Sequence, residues 1–482
     1  MASSVETTIR NTITKGVGKV AAFNRARAKS TQGPNPYLTG MHTPMTAEFS
    51  LEALPVTGQI PVALDGRYCR IGPNPIGTPN PARYHWFTGD GMVHGVRIQN
   101  GHALWYRNRW VRTSAVSRAL GEARAPGKRL IDDFAVNTNI IGQGGKFWAL
   151  VEAGGTPVEL DGMLDTVAHN AFDFTLKGAF SAHPHRDPET GELHAICYHA
   201  TELNAVHYVV VGTDGRVRRE VPIAVNHGPS IHDCAITKRF ALIFDLPVTF
   251  SMSATLAGYT FPYRWNADHA ARIGLLPREG GNDDVIWCPV DPCYVYHVAN
   301  SYDLDDGRVV LDMCVHDRNG YRDFRGPDAE AITFERWTID PATKHVTHEV
   351  LDDTPQEFPR IDERLTGKSY RYAYSLRVPP AEGKAIGLIG STQILKHDLT
   401  TRTREIHDFG PDHHPGEFVF IPRDSAAEED DGWLMGFVVN MANETTDLVI
   451  LDARRFGEPP VASILLPHRV PPGFHGNWIP AV

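Results

Sequence analysis

Residues 93–98 (Val-His-Gly-Val-Arg-Ile), the turn Gln99-Asn100-Gly101 and residues 103–107 (Ala-Leu-Trp-Tyr-Arg) read as strand, turn, strand. Asn-Gly supplies the positive φ angles that a tight two-residue hairpin needs, and the flanking runs are short and rich in β-branched and aromatic residues. The same grammar returns at 208–211, Gly212-Thr213-Asp214-Gly215 and 217–223. It returns again around Asp187-Pro188-Glu189-Thr190-Gly191, Asp340-Pro341-Ala342-Thr343-Lys344 and Asp398-Leu399-Thr400-Thr401, and continues to 448–451 and 462–466. Helical periodicity is confined to the beginning of the chain and to parts of 114–124 and 252–272.

No linker or shift of composition divides residues 36–482, which are therefore read as one domain. An all-β domain of this length is either a giant sandwich or a radial array that closes on itself and so removes its exposed strand edges. The spacing of turns is loose, and about seven blades of sixty-odd residues fit the length. The expectation is a seven-bladed β-propeller.

Hydrophobic residues make up 42% of the 482-residue chain and charged residues 22%, the balance of a globular protein. A net charge of −10 argues against a nucleic-acid partner, which demands a basic face. Cys69, Cys197, Cys234, Cys288, Cys293 and Cys314 form no Cys-x-x-Cys pair, so reduced thiols in a cytoplasmic protein are expected. No apolar run is long enough to span a bilayer, and no secretory signal is evident. Residues 1–35 are a basic tail. Ile9, Ile13, Val17, Val20 and Phe23 fall near helical spacing among Arg10, Lys15, Lys19, Arg25, Arg27 and Lys29, while Gly16 and Gly18 weaken the helix. The tail reads as a disordered basic segment, as an amphipathic helix lying on an anionic membrane, or as a cleaved organelle-targeting segment.

Four histidines stand far apart, each in a compact cluster: His183 in Ser-Ala-His-Pro-His, His232 in Ser-Ile-His-Asp, His297 in Tyr-Val-Tyr-His-Val and His475 in Gly-Phe-His-Gly-Asn-Trp. Neutral imidazole is a common metal ligand. None of these histidines shares a helical spacing with another, so only the fold could bring them together. His94, His185 and His199 are comparison histidines, and His185 is read either as structural or as a neighbour supporting the ligands.

The ordered set His-Trp-Phe-Thr-Gly-Asp-Gly-Met-Val-His (85–94), Ser-Ala-His-Pro-His-Arg-Asp-Pro-Glu-Thr-Gly-Glu (181–192), Ser-Ile-His-Asp-Cys-Ala-Ile-Thr (230–237), Glu-Phe-Pro-Arg-Ile (357–361), Gly-Glu-Phe-Val-Phe-Ile-Pro (416–422) and Val-Pro-Pro-Gly-Phe-His-Gly-Asn-Trp (470–478) resembles the carotenoid cleavage oxygenases. The likeness runs from about residue 36 to the C-terminus. It implies a seven-bladed propeller with a cap of loops and short helices over a metal on the axis. It implies one non-haem Fe(II) per chain, held by His183, His232, His297 and His475, with positions left open for dioxygen and water. It also implies that Glu152, Glu357 and Glu417 hold the outer nitrogens of three of those imidazoles, and that Thr138 in Val-Asn-Thr-Asn-Ile narrows one open position. One departure from the pattern is Phe418 directly after Glu417.

The reaction implied by the resemblance is cleavage of a conjugated C=C bond by O2 to two carbonyls. The all-imidazole donor set suits iron and oxygen chemistry. Signatures of rival enzyme classes are absent: there is no Gly-rich nucleotide loop, Gly-x-Ser-x-Gly elbow or His-Glu-x-x-His. A calcium-dependent lactonase propeller would need oxygen ligands. Stilbene-cleaving relatives typically carry Lys directly before the first glutamate, with a Tyr upstream. Here Val151 takes the Lys position, and Leu120-Gly121-Glu122-Ala123-Arg124 offers no Tyr. A carotenoid or apocarotenoid is therefore the expected substrate, with stilbene or phenylpropene cleavage, retinoid isomerisation and non-catalytic carotenoid binding as the alternatives. Residues 250–265, with Met252, Leu256, Tyr259, Phe261, Tyr263 and Trp265, are expected either at a membrane-facing tunnel mouth or packed within the cap. Trp86, Phe87, Trp105 and Trp148 are expected in the tunnel or in blade cores.

Overall fold

Seven antiparallel sheets of four or more strands, and one two-stranded ribbon, account for almost all regular structure in the computed structural model, which describes residues 4–29, 33–129, 135–318, 325–327, 329–379 and 390–481. Side chains of the first helix are described from residue 16 onward. The sheets are the blades of a seven-bladed propeller. Within blades the chain meanders between neighbouring strands, as the turn chemistry dictates. In the hairpin that opens the sequence reading, Gly91–Gln99 pairs with His102–Trp110, and the turn residues Asn100 and Gly101 have φ of 51° and 75°. Lys344 and Arg402 take positive φ at the tips of two further hairpins.

Closure uses both ends of the domain. The C-terminal strand Gly476–Pro480 pairs with Gly66–Pro73 of the first blade. The early strand Val56–Gly58 pairs with Ala462–Leu466 and completes the last. Each end thus covers the edge the other leaves open. The first strands of successive blades touch one another and so surround the axis: Asn139–Gln143 meets Gly476–Pro480, Ala235–Ile236 meets Tyr294–Asp303, and that strand meets Gln356–Arg360. Apolar clusters straddle neighbouring blades. Tyr208, Leu242, Ile273, Leu311 and Trp337 belong to one cluster, and Phe334, Tyr374, Leu434 and Phe456 to another. Burying each such side chain stabilises the fold by roughly 1.5–3 kcal/mol. Gly91 marks a close approach between the first two blades, since a Cβ there would lie 1.6 Å from the Val136 carbonyl oxygen.

Helices are few. Ser114–Leu120 is capped by the Thr113 hydroxyl, which accepts from Val116 N–H. The expected helical stretch over 252–272 is shorter than its pattern: Met252–Leu256 is a helix capped by Ser251, but Tyr263–Trp265 pairs as a strand with Val248–Phe250. At the start of the chain Ser4–Arg27 forms a helix. Its far end docks on Met252–Leu256: Asn24 Nδ2 donates to the Leu256 carbonyl at 2.7 Å, and Arg25 Nε donates to the Gly258 carbonyl at 2.9 Å. Among the described residues no helix is long and apolar enough to cross a membrane.

Candidate metal centre

His183, His232, His297 and His475 converge. One ring nitrogen from each lies within 4.8 Å of those of the other three, and all four side chains are buried. His183 lies just before the first strand of the third blade, His232 before that of the fourth, and His475 before the C-terminal strand. His297 lies within Tyr294–Asp303, where the register with the next strand shifts between Val295 and Val298. Glu357 lies at a second irregularity, between Glu357 and Arg360, where Phe358 adopts a φ of 53°. Such bulges re-aim side chains that simple alternation would send elsewhere, and αL backbone at a non-glycine residue costs of order 1–3 kcal/mol.

The outer nitrogens fix the tautomers. His297 Nδ1 donates to Glu357 Oε2 at 2.5 Å, and His475 Nδ1 donates to Glu417 Oε1 at 3.0 Å. His232 Nδ1 lies 2.9 Å from Glu152 Oε2, at ion-pair distance though bent away from a straight hydrogen bond. With Nδ1 protonated, each Nε2 presents a lone pair to the interior. The Nε2 atoms of His232 and His297 are 3.3 Å apart, and those of His297 and His475 are 3.2 Å apart. His183 Nε2 is buried without a hydrogen-bond partner. Lone pairs so close together need a cation between them. Imidazole nitrogens at right angles on a metal with bonds of roughly 2.0–2.1 Å stand about 3 Å apart, so the four residues fit a single metal ion.

The carboxylates are as deeply placed as the histidines. Burial raises the Glu357 pKa, but the His297 imidazole and hydrogen bonds from His297 and His316 outweigh it and hold the group well below the usual carboxylate range. His316 Nε2 donates to Glu357 Oε1 at 2.6 Å. Burial likewise pushes Glu417 up, yet Arg360, His475 and the Gly476 N–H bring it down to about 2. Burial lowers His183 far below 6.5, reinforced by its three imidazole neighbours. Burial also lowers His475 although Glu417 opposes it, whereas Glu357 outweighs burial and raises His297. Carboxylates on the outer nitrogens orient imidazoles for a metal, and a divalent ion would bind them in their neutral form.

Thr138 is buried beside the cluster. Its carbonyl accepts from His475 N–H at 3.1 Å, and its hydroxyl donates to Asn137 Oδ1 at 2.9 Å. It lines a narrow pocket with Phe87, Glu152, His232, Tyr296, His297, Phe358, Phe474 and His475, whose volume of about 10 Å³ leaves room for about one water. Phe87 comes from the turn Trp86–Thr88, capped by the His85 imidazole, which accepts from Phe87 N–H at 3.1 Å. Among the four aromatic residues expected in the tunnel or in blade cores, Phe87 lines this pocket. Trp86 packs against Phe474 and Tyr37, Trp148 is buried in a blade core, and Trp105 stands in the Arg67–Phe147 region. Val151 packs with Ile71, Val93 and Ala149 between blades and lines neither this pocket nor the larger cavity below.

The comparison histidines lie elsewhere. His185 Nε2 donates to Asp233 Oδ1 at 2.8 Å, and His94 Nδ1 pairs with the Tyr106 hydroxyl at 2.9 Å. Several neighbours of the cluster escaped the sequence reading. Arg360 Nη1 donates to Glu417 Oε1 at 3.3 Å and Nη2 to Asn477 Oδ1 at 2.9 Å, and Asn477 Nδ2 donates to Asn139 Oδ1 at 2.9 Å. Arg360 and Asn477 stand inside motifs quoted for other residues. His316 carries no local signal at all.

A family model described as retinal pigment epithelial membrane protein, RPE65, matches residues 42–480. The chain is 43% identical over 498 aligned positions to a carotenoid cleavage oxygenase of Mycobacterium tuberculosis, covering 94% of this chain and 99% of that protein. The crystal structure of Pseudomonas brassicacearum lignostilbene dioxygenase superposes with a TM-score of 0.82 at 27% identity, covering 94% of this chain and 100% of the other. Cobalt-substituted Synechocystis ACO superposes with a TM-score of 0.80 at 26% identity, covering 91% and 97%.

Proposed function

Because the chain belongs to the carotenoid cleavage oxygenase family, we propose that it is a dioxygenase that holds Fe(II) on His183, His232, His297 and His475 and splits a conjugated C=C bond of a carotenoid or apocarotenoid into two carbonyls. The convergence of four imidazole nitrogens within 4.8 Å, beneath an aromatic-walled pocket, carries this reading. Iron, when bound, would supply the activation of O2. The rest of the chemistry belongs to this chain's own residues. Glu152, Glu357 and Glu417 keep the imidazoles oriented and balance the charge of a dication. Phe87, Tyr296, Phe358 and Phe474, once parted beyond their present one-water spacing, bracket a flat polyene, fix one double bond over the cluster and keep water out. Thr138 borders the same space and limits how small ligands approach.

A lipophilic polyene must be drawn from a bilayer. Val20 and Phe23 of the first helix and Met252 and Leu256 of the helix on which it docks are exposed. With Lys19, Arg27 and Lys29 nearby, they support a peripheral contact with an anionic membrane.

Product analysis tests the function. Fe(II)-loaded protein is given air and an apocarotenal mixed with a hydroxystilbene, and the products are separated and weighed by mass spectrometry. Shortened polyene aldehydes support the proposal, and their masses name the bond. Phenolic aldehydes alone would replace it with the stilbene reading, which the likeness to a lignostilbene dioxygenase supports.

A further inference from the structure

Two spaces meet at the four histidines. The first is a pocket that is walled by Phe87, Tyr296, Phe358 and Phe474 and holds about 10 Å³. The second is a cavity of about 930 Å³ whose inner wall includes His183, His297 and His475, and whose outer wall includes the exposed residues Gly145, Asp161 and Pro480. Between those ends its lining mixes the polar Asn139, Arg186, Asp233, Arg360, Glu363 and Asn477 with apolar residues such as Ile141, Phe358 and Ile361. His183 Nε2, buried and without a hydrogen-bond partner, belongs to a residue at its inner end.

We propose that this axial passage is the route by which a hydrated divalent cation reaches and leaves the histidine cluster, with Glu363 as its outer carboxylate. The inference rests on the reading that the four histidines hold a metal. A dication cannot shed its water against aromatic walls without replacement ligands, and an apolar constriction excludes it. The axial lining offers such ligands in sequence. Glu363 has a side chain about half exposed, at 55%, and accepts from Arg360 Nη2 at 2.5 Å. Arg360 Nη1 donates onward to Glu417, which holds His475. The guanidinium thus offsets two carboxylates that would otherwise trap a cation on the way, and transit needs sites that attract without retaining.

Stopped-flow uptake of Co(II), followed by its visible absorption, tests the passage on metal-free full-length protein, with release measured into excess chelator. Glu363→Gln should slow uptake about threefold and Glu363→Lys about tenfold, since charge lining a cleft changes on-rates by such factors. Release should slow by the same factor in each variant, so that equilibrium affinity stays unchanged. That equality marks a residue on the path, whereas a residue that supports the site alters affinity. The half-exposed position of Glu363 lets both variants fold. Unchanged uptake and release with intact Co(II) binding would overturn the passage alone, as would weakened affinity with faster release. No Co(II) binding by the unmodified protein would overturn the four-histidine reading, and the passage with it.

Discussion

Oε2 of Glu357 lies 2.5 Å from Nδ1 of His297, and the glutamate has no exposed surface. A buried carboxylate survives only if its charge is paired and its lone pairs are filled, and here His297, His316 and the Phe358 N–H do both. Replacing it tests charge and packing separately. Glu357→Gln keeps the volume but removes the charge that makes His297 a strong donor, so Co(II) or Fe(II) affinity should fall by about 10–100-fold. Titration of the metal-free protein reads this directly. Glu357→Ala should also lower the unfolding free energy by about 3–5 kcal/mol, because it strands two buried imidazoles.

His232→Ala removes one of the four converging nitrogens and leaves the apolar wall largely intact. Turnover should vanish. Unmodified protein should gain about 2.7 kcal/mol of stability at a metal concentration a hundred times its Kd. The variant should gain almost none of it, which thermal unfolding with and without Co(II) will show. Full activity in His232→Ala would remove this residue from the metal site.

Much of this was legible because the fold repeats one local rule. Asn100-Gly101 and the Asp-initiated turns specify hairpins from a few residues each, so the all-β class follows from local chemistry. The four histidines were legible only as an ordered set of motifs, since nothing local tells His183 from His185 two positions later. What separates them is the fold: His183 faces the cluster, and His185 turns to Asp233. Arg360, Asn477 and His316 were not legible as site residues, because their roles arise from contacts between blades far apart in sequence. Val151, beside Glu152, shares a buried apolar cluster with Ile71 and Val93.

Phe87 makes ring contacts with Phe261, Tyr296 and Phe474 at centroid distances of 5.4, 5.9 and 5.5 Å, and lies 6.0 Å from His232. It therefore sets the width of the space above the histidines. Phe87→Ala should widen that space and let a polyene slide, so kcat/KM should fall about tenfold and more than one double bond should be cut, because loose positioning forfeits orientation. Product masses would report the slippage. Metal affinity, by contrast, should not change.

All six cysteines are buried and unpaired. Burial raises Cys69 and Cys293 to about 12, which suppresses the reactive thiolate. A colorimetric thiol reagent should therefore react with almost none of them in the folded protein and with six after denaturation. Fast reaction of even one in the native state would show a local opening that burial does not permit.

Two buried histidines outside the four-histidine cluster make stability depend on pH. Burial, aided by Arg264, pushes His85 down to about 3, and burial, aided by Arg278, pushes His194 down to about 4. In the unfolded chain both titrate near the ordinary value of about 6.5. Between those limits the unfolded state binds protons that the folded state refuses. The stabilising contribution is therefore complete above about pH 6.5 and is lost as pH falls through the folded values, at about 1.4 kcal/mol per pH unit for each proton. His194 Nδ1 pairs with the Tyr208 hydroxyl at 2.7 Å, a contact that glutamine can replace in part. His194→Gln should therefore be less stable than the unmodified protein at pH 7, yet its stability should fall less steeply between pH 6 and pH 4. Urea unfolding of the metal-free proteins across that range measures both slopes. Identical slopes would mean that His194 already carries its proton in the folded state.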